Sequence, residues 1–170
     1  MPTIEMMLVD YGAKLGVRPE RAFNLDAAVG VGAANKVGDV VLVQAMLQGL
    51  NKGGARHYFY NRKTLDQTRL PEPHGRMDHE TLTAIRNLQM WLASRLLAVD
   101  GRIDPASFAG RKLNLSAAKK TMLQILNQEL GVYSNSAGSP DHTVWLMNMY
   151  PQLRNHVRDK TIGNTITTVA

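Results

Sequence analysis

The sequence predicts an all-α protein, a small helical bundle with a helical C-terminal extension. Three observations predict it. Apolar residues recur at helical spacing in three separate stretches, strict apolar–polar alternation is nearly absent, and one turn phrase is written on both sides of the middle stretch. That phrase is His74-Gly75-Arg76-Met77-Asp78-His79-Glu80-Thr81, repeated as Asp100-Gly101-Arg102-Ile103-Asp104-Pro105-Ala106-Ser107. Each copy reads polar, Gly, Arg, bulky apolar, Asp, two spacers, hydroxyl. Gly after a polar residue marks a tight turn, because Gly enters positive φ without steric cost. The closing Thr or Ser is a residue type that caps a helix start.

Taken in order, residues 1–28 read as a weakly patterned lead-in, with a short helix over Pro19–Ala28 because Pro suits a first turn. Val29–Gly38 is small and Gly-rich, a connector. Asp39 is placed as the N-cap of a helix whose Val40, Val43, Leu47 and Leu50 form one stripe, ended by Gly49, Gly53 and Gly54. Within 51–73, His57-Tyr58-Phe59-Tyr60 reads as a short strand or an aromatic patch. A helix over 81–97 carries Leu82, Ile85, Leu88, Leu92 and Leu96 on one face. A third, capped by Ser116, runs to Leu130 and stops at Gly131. Asp141 caps a fourth through Tyr150, broken at Pro151 and resuming to Lys160. The tail 161–170 reads as frayed or as a short strand. The domain plan is thus a lead-in (1–28), a helical module (29–110) and a helical extension (111–170).

Composition narrows the chemistry. The chain has 170 residues and 44% hydrophobic content, enough for a core without staples. It has no Cys, which excludes disulfides, thiol catalysis and Cys-based metal sites. The formal charge of +6 suits an anionic partner, but the basic residues are scattered, so no nucleic-acid stripe is expected. The N-terminus has no basic region followed by an apolar run, and no run approaches the ~20 residues of a membrane helix. The expectation is a protein made in the cytoplasm, without membrane insertion, that reaches the periplasm or cell wall by a signal-independent route if it acts there.

From Val29 to Ser107 the chain resembles the peptidoglycan-binding domain family, a three-helix cell-wall module. Val29-Gly30-Val31-Gly32-Ala33-Ala34-Asn35, Asp39-Val40 and Val43-Gln44-Ala45-Met46-Leu47 are similar to the family's first helix and its valine-glutamine-x-leucine-leucine signature. Thr81, Ala84, Ile85, Leu88 and Gln89 match the main helix, and Val99-Asp100-Gly101-Arg102-Ile103-Asp104-Pro105 the closing turn. At the first turn His74 stands for the family's aspartate, Asp78 for its glycine and His79 for its proline. Gln44 and Gln89 each sit beside an apolar stripe, where a side-chain amide can bond a turn's backbone and lock helix to turn.

The resemblance implies non-catalytic binding of peptidoglycan or another anionic glycan, at a shallow groove lined by the two turns and the helix between them. Arg76 and Arg102 hold equivalent places and are expected to pair carboxylates, with His74 and Asp100 beside them. Tyr58 and Tyr60, between Arg56 and Arg62, are expected to offer an aromatic face. An alternative is a protein-interaction part (effector, adaptor or structural piece) of a contact-dependent secretion or phage-tail apparatus, docking through its C-terminal helices. A second alternative is a cell-wall hydrolase using Glu129, Asp141, His142, His156 or Asp159. No cofactor or metal is expected: His74, Asp78, His79 and Glu80 cluster, but in a turn and without an HExxH pattern. Trp91 and Trp145 are expected to be buried.

Overall fold

A computed structural model describes residues 1–64, 66–108, 112–114 and 119–162. It shows a mixed α/β fold, which corrects the all-α expectation. Residues 1–28 form a β-hairpin: β1 (Thr3–Asp10) pairs antiparallel with β2 (Val17–Asn24), in a register that sets Ile4 opposite Phe23 and Met7 opposite Glu20. The short β3 (Val29–Gly30) leads to α1 (Val37–Gly53) and a 3-10 turn at Arg56–Phe59. Then come α2 (His79–Trp91), a 3-10 turn at Ala93–Arg95, β4 (Arg102–Ile103) and β5 (Lys112–Asn114). The chain closes with α3 (Met122–Ser136), α4 (His142–Met149), a 3-10 turn at Pro151–Asn155 and β6 (Arg158–Asp159). One sheet runs β2-β1-β5, with β6 also parallel to β1; β3 and β4 form a separate ladder.

The hairpin leaves no alternating pattern in the sequence because the buried residues of β1 fall on both of its faces, with Met6 exposed between them. Ile4 joins the main core with Phe23, while Met7 and Val9 join a second cluster with Ala22 and Phe108. A strand buried on both faces loses its alternation. Pro19, whose chemistry suits a helix start, lies in β2 opposite Leu8. It is tolerated because β2 is an edge strand and Pro19 faces the unpaired side, where no ladder bond is lost.

The helix α1 is the hub. Every residue from Asp39 to Leu50 is buried, so the stripe of Val40, Val43, Leu47 and Leu50 is only part of an all-round buried surface. Its three buried polar side chains each hold a loop. Asp39 is not the N-cap, which is Lys36. Its carboxylate accepts the Asp26 and Ala27 N–H groups at 2.8 and 3.1 Å. Gln48 donates to the Leu70 and Pro71 carbonyls, both at 3.3 Å. Gln44 is described below. Gly49 and Gly53 do not end α1; Gly54 does, at φ 118°. Both approach the C-terminal helices so closely that a Cβ on Gly49 would sit 2.6 Å from Leu146 Cδ1, and one on Gly53 2.9 Å from Tyr133 Cβ. Residues 1–28, 29–110 and 111–170 therefore share one core, from Ile4 through Leu42 and Ile85 to Leu123 and Val157.

The remaining boundaries move for identifiable reasons. Asp78, not Thr81, caps α2 by accepting the Thr81 N–H at 2.8 Å. The helix stops at Trp91, and the stripe continues through the 3-10 turn to Leu96. Ser116 lies outside the described residues, as do 163–170. The cap of α3 is Thr121, which forms a capping box with Gln124. Gly131 sits inside α3. Asp141 caps α4 as expected, accepting the Thr143 and Val144 N–H groups. Beyond Pro151 the chain makes a 3-10 turn and then β6 instead of resuming a helix. Among the described residues, no helix is long and apolar enough to cross a membrane.

One side chain closes the exposed edge of the sheet. Asn127 of α3 accepts the Phe23 N–H at 2.8 Å and donates to the Phe23 carbonyl at 3.0 Å, acting as a one-residue strand partner. Its Nδ2 also donates to the Leu123 carbonyl, and its Oδ1 lies 2.8 Å from His142 Nε2. Since that oxygen only accepts, His142 is the neutral tautomer with its proton on Nε2. Burial, opposed by Asp141, lowers the His142 pKa to about 4 from an ordinary 6.5. Between those values the unfolded chain binds a proton that the fold refuses. Stability is therefore expected to fall as pH drops from 6.5 to 4, by about 3 kcal/mol in all at ~1.4 kcal/mol per pH unit. Asp141 and Asp78, whose pKa values are lowered by hydrogen bonds despite partial burial, lose their contribution only at lower pH. Urea titrations across this range check the slope, which His142→Gln should flatten.

Candidate functional site

The repeated phrase folds as a repeated device. In the first copy Gly75 has φ 87° and is buried; in the second Gly101 has φ 73°. Each turn is held by the glutamine of a helix. Gln44 Oε1 accepts the His74 and Gly75 N–H groups at 3.0 and 2.9 Å, while its Nε2 donates to the Arg76 carbonyl and Thr81 Oγ1, both at 3.0 Å. Gln89 Oε1 accepts the Gly101 N–H at 2.7 Å, and its Nε2 donates to the Arg102 carbonyl at 2.9 Å. Both glutamines are fully buried. The expected lock between helix and turn is what the side chains form.

The residue before each Gly does one job with two chemistries. Asp100 Oδ1 accepts the Arg102 N–H at 3.0 Å, and His74 Nδ1 accepts the Arg76 N–H at 3.1 Å. An imidazole thus replaces a carboxylate as the local acceptor. With Nδ1 accepting, the ring proton lies on Nε2, 3.0 Å from Asp78 Oδ2. Burial opposes ionisation of Asp78, but bonds from Thr81 and the His74 ring hold its pKa below the usual carboxylate range.

The second turn is also clamped by β3. Gly30, at φ 122°, packs so tightly that a Cβ would lie 2.1 Å from the Gly101 carbonyl oxygen, and the Val31 N–H donates to that oxygen at 3.1 Å. Gly30→Ala must open the β3–β4 ladder. It is expected to cost about 3 kcal/mol, read as a fall of ~6–12 °C in Tm for a chain of this size.

The two arginines differ. Arg76 is exposed and has no ion pair among the described residues. Arg102 is half-buried and pairs with Asp104 at 3.0 Å. No hydrogen bond or ion pair among the described residues links the two turns. The groove that runs along α2 is a different one. It measures about 410 Å3, and its walls include Asn61, Gln67, Arg69, Glu80, Thr83 and Asn87. Asn87 is tied to Thr68 across it, and Arg56 supports Gln67 at 2.9 Å. Sequence reasoning misses this wall because its polar residues follow no spacing.

The tyrosines stand apart from the turns. Phe59 is fully buried, and Tyr58 and Tyr60 are half-buried. The Tyr58 hydroxyl donates to Glu129 Oε2 at 3.2 Å, and Arg95 binds Glu129 Oε1 at 2.6 Å. Burial and then the Glu129 charge push the Tyr58 pKa up to about 12. This network joins the 3-10 turn to α3. The Tyr60 carbonyl accepts the Trp91 indole N–H at 2.7 Å, and Arg62 lies over that ring at 5.1 Å from its centroid. Trp91 and Trp145 are both half-buried.

The acid–base candidates of the extension are largely committed to structure. Glu129 is held by Tyr58 and Arg95. Asp141 binds Arg21, Thr143 and Val144, and Asp159 binds Arg21 and Thr161. His142 is buried against Asn127. Among the described residues, no three His, Asp or Glu side chains converge on a metal position. The chain matches no known family model, no curated protein and no solved structure.

Proposed function

We propose that the chain is a non-catalytic recognition protein for peptidoglycan, binding glycan or stem peptide along α2. The observation that carries this reading is the pair of glutamine-locked Gly-Arg turns that flank α2, within the segment whose residues resemble the peptidoglycan-binding family. Buried amides spent on fixing two turns make sense where the turns present something. Arg76 offers a guanidinium with no ion pair among the described residues, suited to a carboxylate. The adjacent groove supplies amide, hydroxyl and charged groups, the set that hydrogen-bonds sugar hydroxyls and peptide backbone.

The protein-interaction reading has less support at the C-terminal helices. Over residues 141–160, Val144 is the one exposed large hydrophobic, while Leu146, Tyr150, Leu153 and Val157 are buried. Exposed Leu97 and Val99, next to the second turn, favour it more.

Co-sedimentation with insoluble sacculi tests the proposal. Saturable binding that persists at about 0.15 M salt, where exposed charges more than ~8 Å apart are screened, and that is lost in the Arg76→Ala, Arg102→Ala double variant, is the expected result. Binding that vanishes with modest salt shows only attraction of a basic chain to a polyanion, and contradicts it.

A further inference from the structure

A cavity of about 240 Å3 lies between the β-hairpin and α3, and a second hollow adjoins it through Glu20, Pro140 and His142. Among the described residues, no part of its wall comes from 29–110, so it is independent of the reading above. It is smaller than the ~300–1,000 Å3 of drug-sized pockets, which limits an occupant to a small group or a single side chain. Met7, Val9, Val132 and Pro140 make one side apolar.

Two acceptor atoms of the wall, Gln128 Oε1 and His142 Nδ1, have no donor among the described residues. Gln128 Oε1 is shut off from solvent without a hydrogen-bond partner among the described residues, a state costing about 1–3 kcal/mol unless a ligand or water relieves it. The tautomer fixed by Asn127 leaves His142 Nδ1 as a bare acceptor, 4.0 Å from where a Cβ on Gly131 would stand. Asn135 spends its amide donor on the Gly131 carbonyl at 2.7 Å. Glu20 accepts the Tyr11 hydroxyl, and burial followed by the Asp141 charge raises its pKa. Of the nearby cations, Arg21 borders the second hollow and binds Asp141 and Asp159 through its terminal nitrogens, its buried Nε having no partner among the described residues, and Arg18 lies over the Tyr11 ring.

We propose that this cavity binds a primary alkylammonium group, its N–H donors shared among Glu20, Gln128 and His142 and its alkyl stem lying along Met7, Val9 and Val132. An ammonium supplies three donors and a compact charge, whereas a planar guanidinium is larger and suits a bidentate partner. Gly131, inside α3, leaves the space open.

NMR titration of the full chain with n-butylammonium, n-butanol and butyrate tests this. Butylammonium is expected to give saturable shifts at the Met7, Val9, Gly131 and Val132 amides, at least tenfold tighter than butanol, with none from butyrate. Glu20→Gln should weaken butylammonium about tenfold and leave butanol unchanged. Gly131→Leu should abolish both, with a melting curve confirming that it folds. Equal affinity for butanol and butylammonium would reduce the site to an apolar hole, and shifts that are absent or lie elsewhere would also overturn the proposal. The Arg76→Ala, Arg102→Ala variant should bind the amine normally.

Discussion

Gln44→Ala is expected to destabilise the fold by about 3 kcal/mol and to abolish sacculus binding together. Gln44 is fully buried in α1 and makes four hydrogen bonds, two as acceptor and two as donor. Truncation strands the buried Gly75 N–H, a penalty of about 1–3 kcal/mol, and takes a donor from Thr81 Oγ1, which keeps its own bond to Asp78, while the more exposed groups at His74 and Arg76 recover water. Gln89→Ala removes two bonds and should cost about half as much. Gln44→Glu should not rescue the first turn, since a carboxylate cannot donate to the Arg76 carbonyl. Urea unfolding measures the first effect. Sedimentation below the transition measures the second, so lost binding can be separated from lost folding.

Asn127→Ala should be the most damaging single substitution, at about 4 kcal/mol, a value in the range of broken buried networks. It leaves the buried Phe23 N–H and carbonyl and the His142 N–H without their protein partners. It also uncovers the outer edge of β2, so increased self-association is expected beside the lower midpoint. A double-mutant cycle with His142→Ala checks the coupling. If the two residues act as one unit, the double variant should cost less than the sum of the singles. The pH slope assigned to His142 should also be absent in the Asn127→Ala background if that variant lets water reach the ring.

The twin turns, the buried stripes of α1 and α2 and the Asp141 cap are legible in the sequence because each depends on local chemistry: Gly at positive φ, a 3.6-residue period, a carboxylate at a helix start. The hairpin is not. Its central strand is apolar on both faces, and its edge strand carries Pro19, Arg18, Glu20 and Arg21, which resemble a polar loop until β1 and Asn127 are placed beside them. Gly49, Gly53 and Gly131 read as helix breakers from sequence alone. Gly49 and Gly53 are inside α1 because close packing against α3 and α4 outweighs a propensity cost of about 1 kcal/mol, and Gly131 is inside α3, where it borders the cavity. Asp39 and Thr81 have the chemistry of helix starts. They serve nearby backbone and side-chain groups, but Lys36 and Asp78 stand at the caps. Tyr58 reads as an exposed aromatic from its neighbours in sequence; the long-range partner that buries it, Glu129, lies 71 residues away.

The central claim is that the locked turns and the α2 groove meet the cell-wall polymer. Chemical-shift mapping with a soluble peptidoglycan fragment tests it most directly. The account predicts saturable shifts at the backbone amides of Arg76, Thr83 and Asn87 and at Gln67 across the groove, diminished in Arg76→Ala. Shifts confined to residues 120–160, or none at concentrations where intact sacculi are bound, would contradict it.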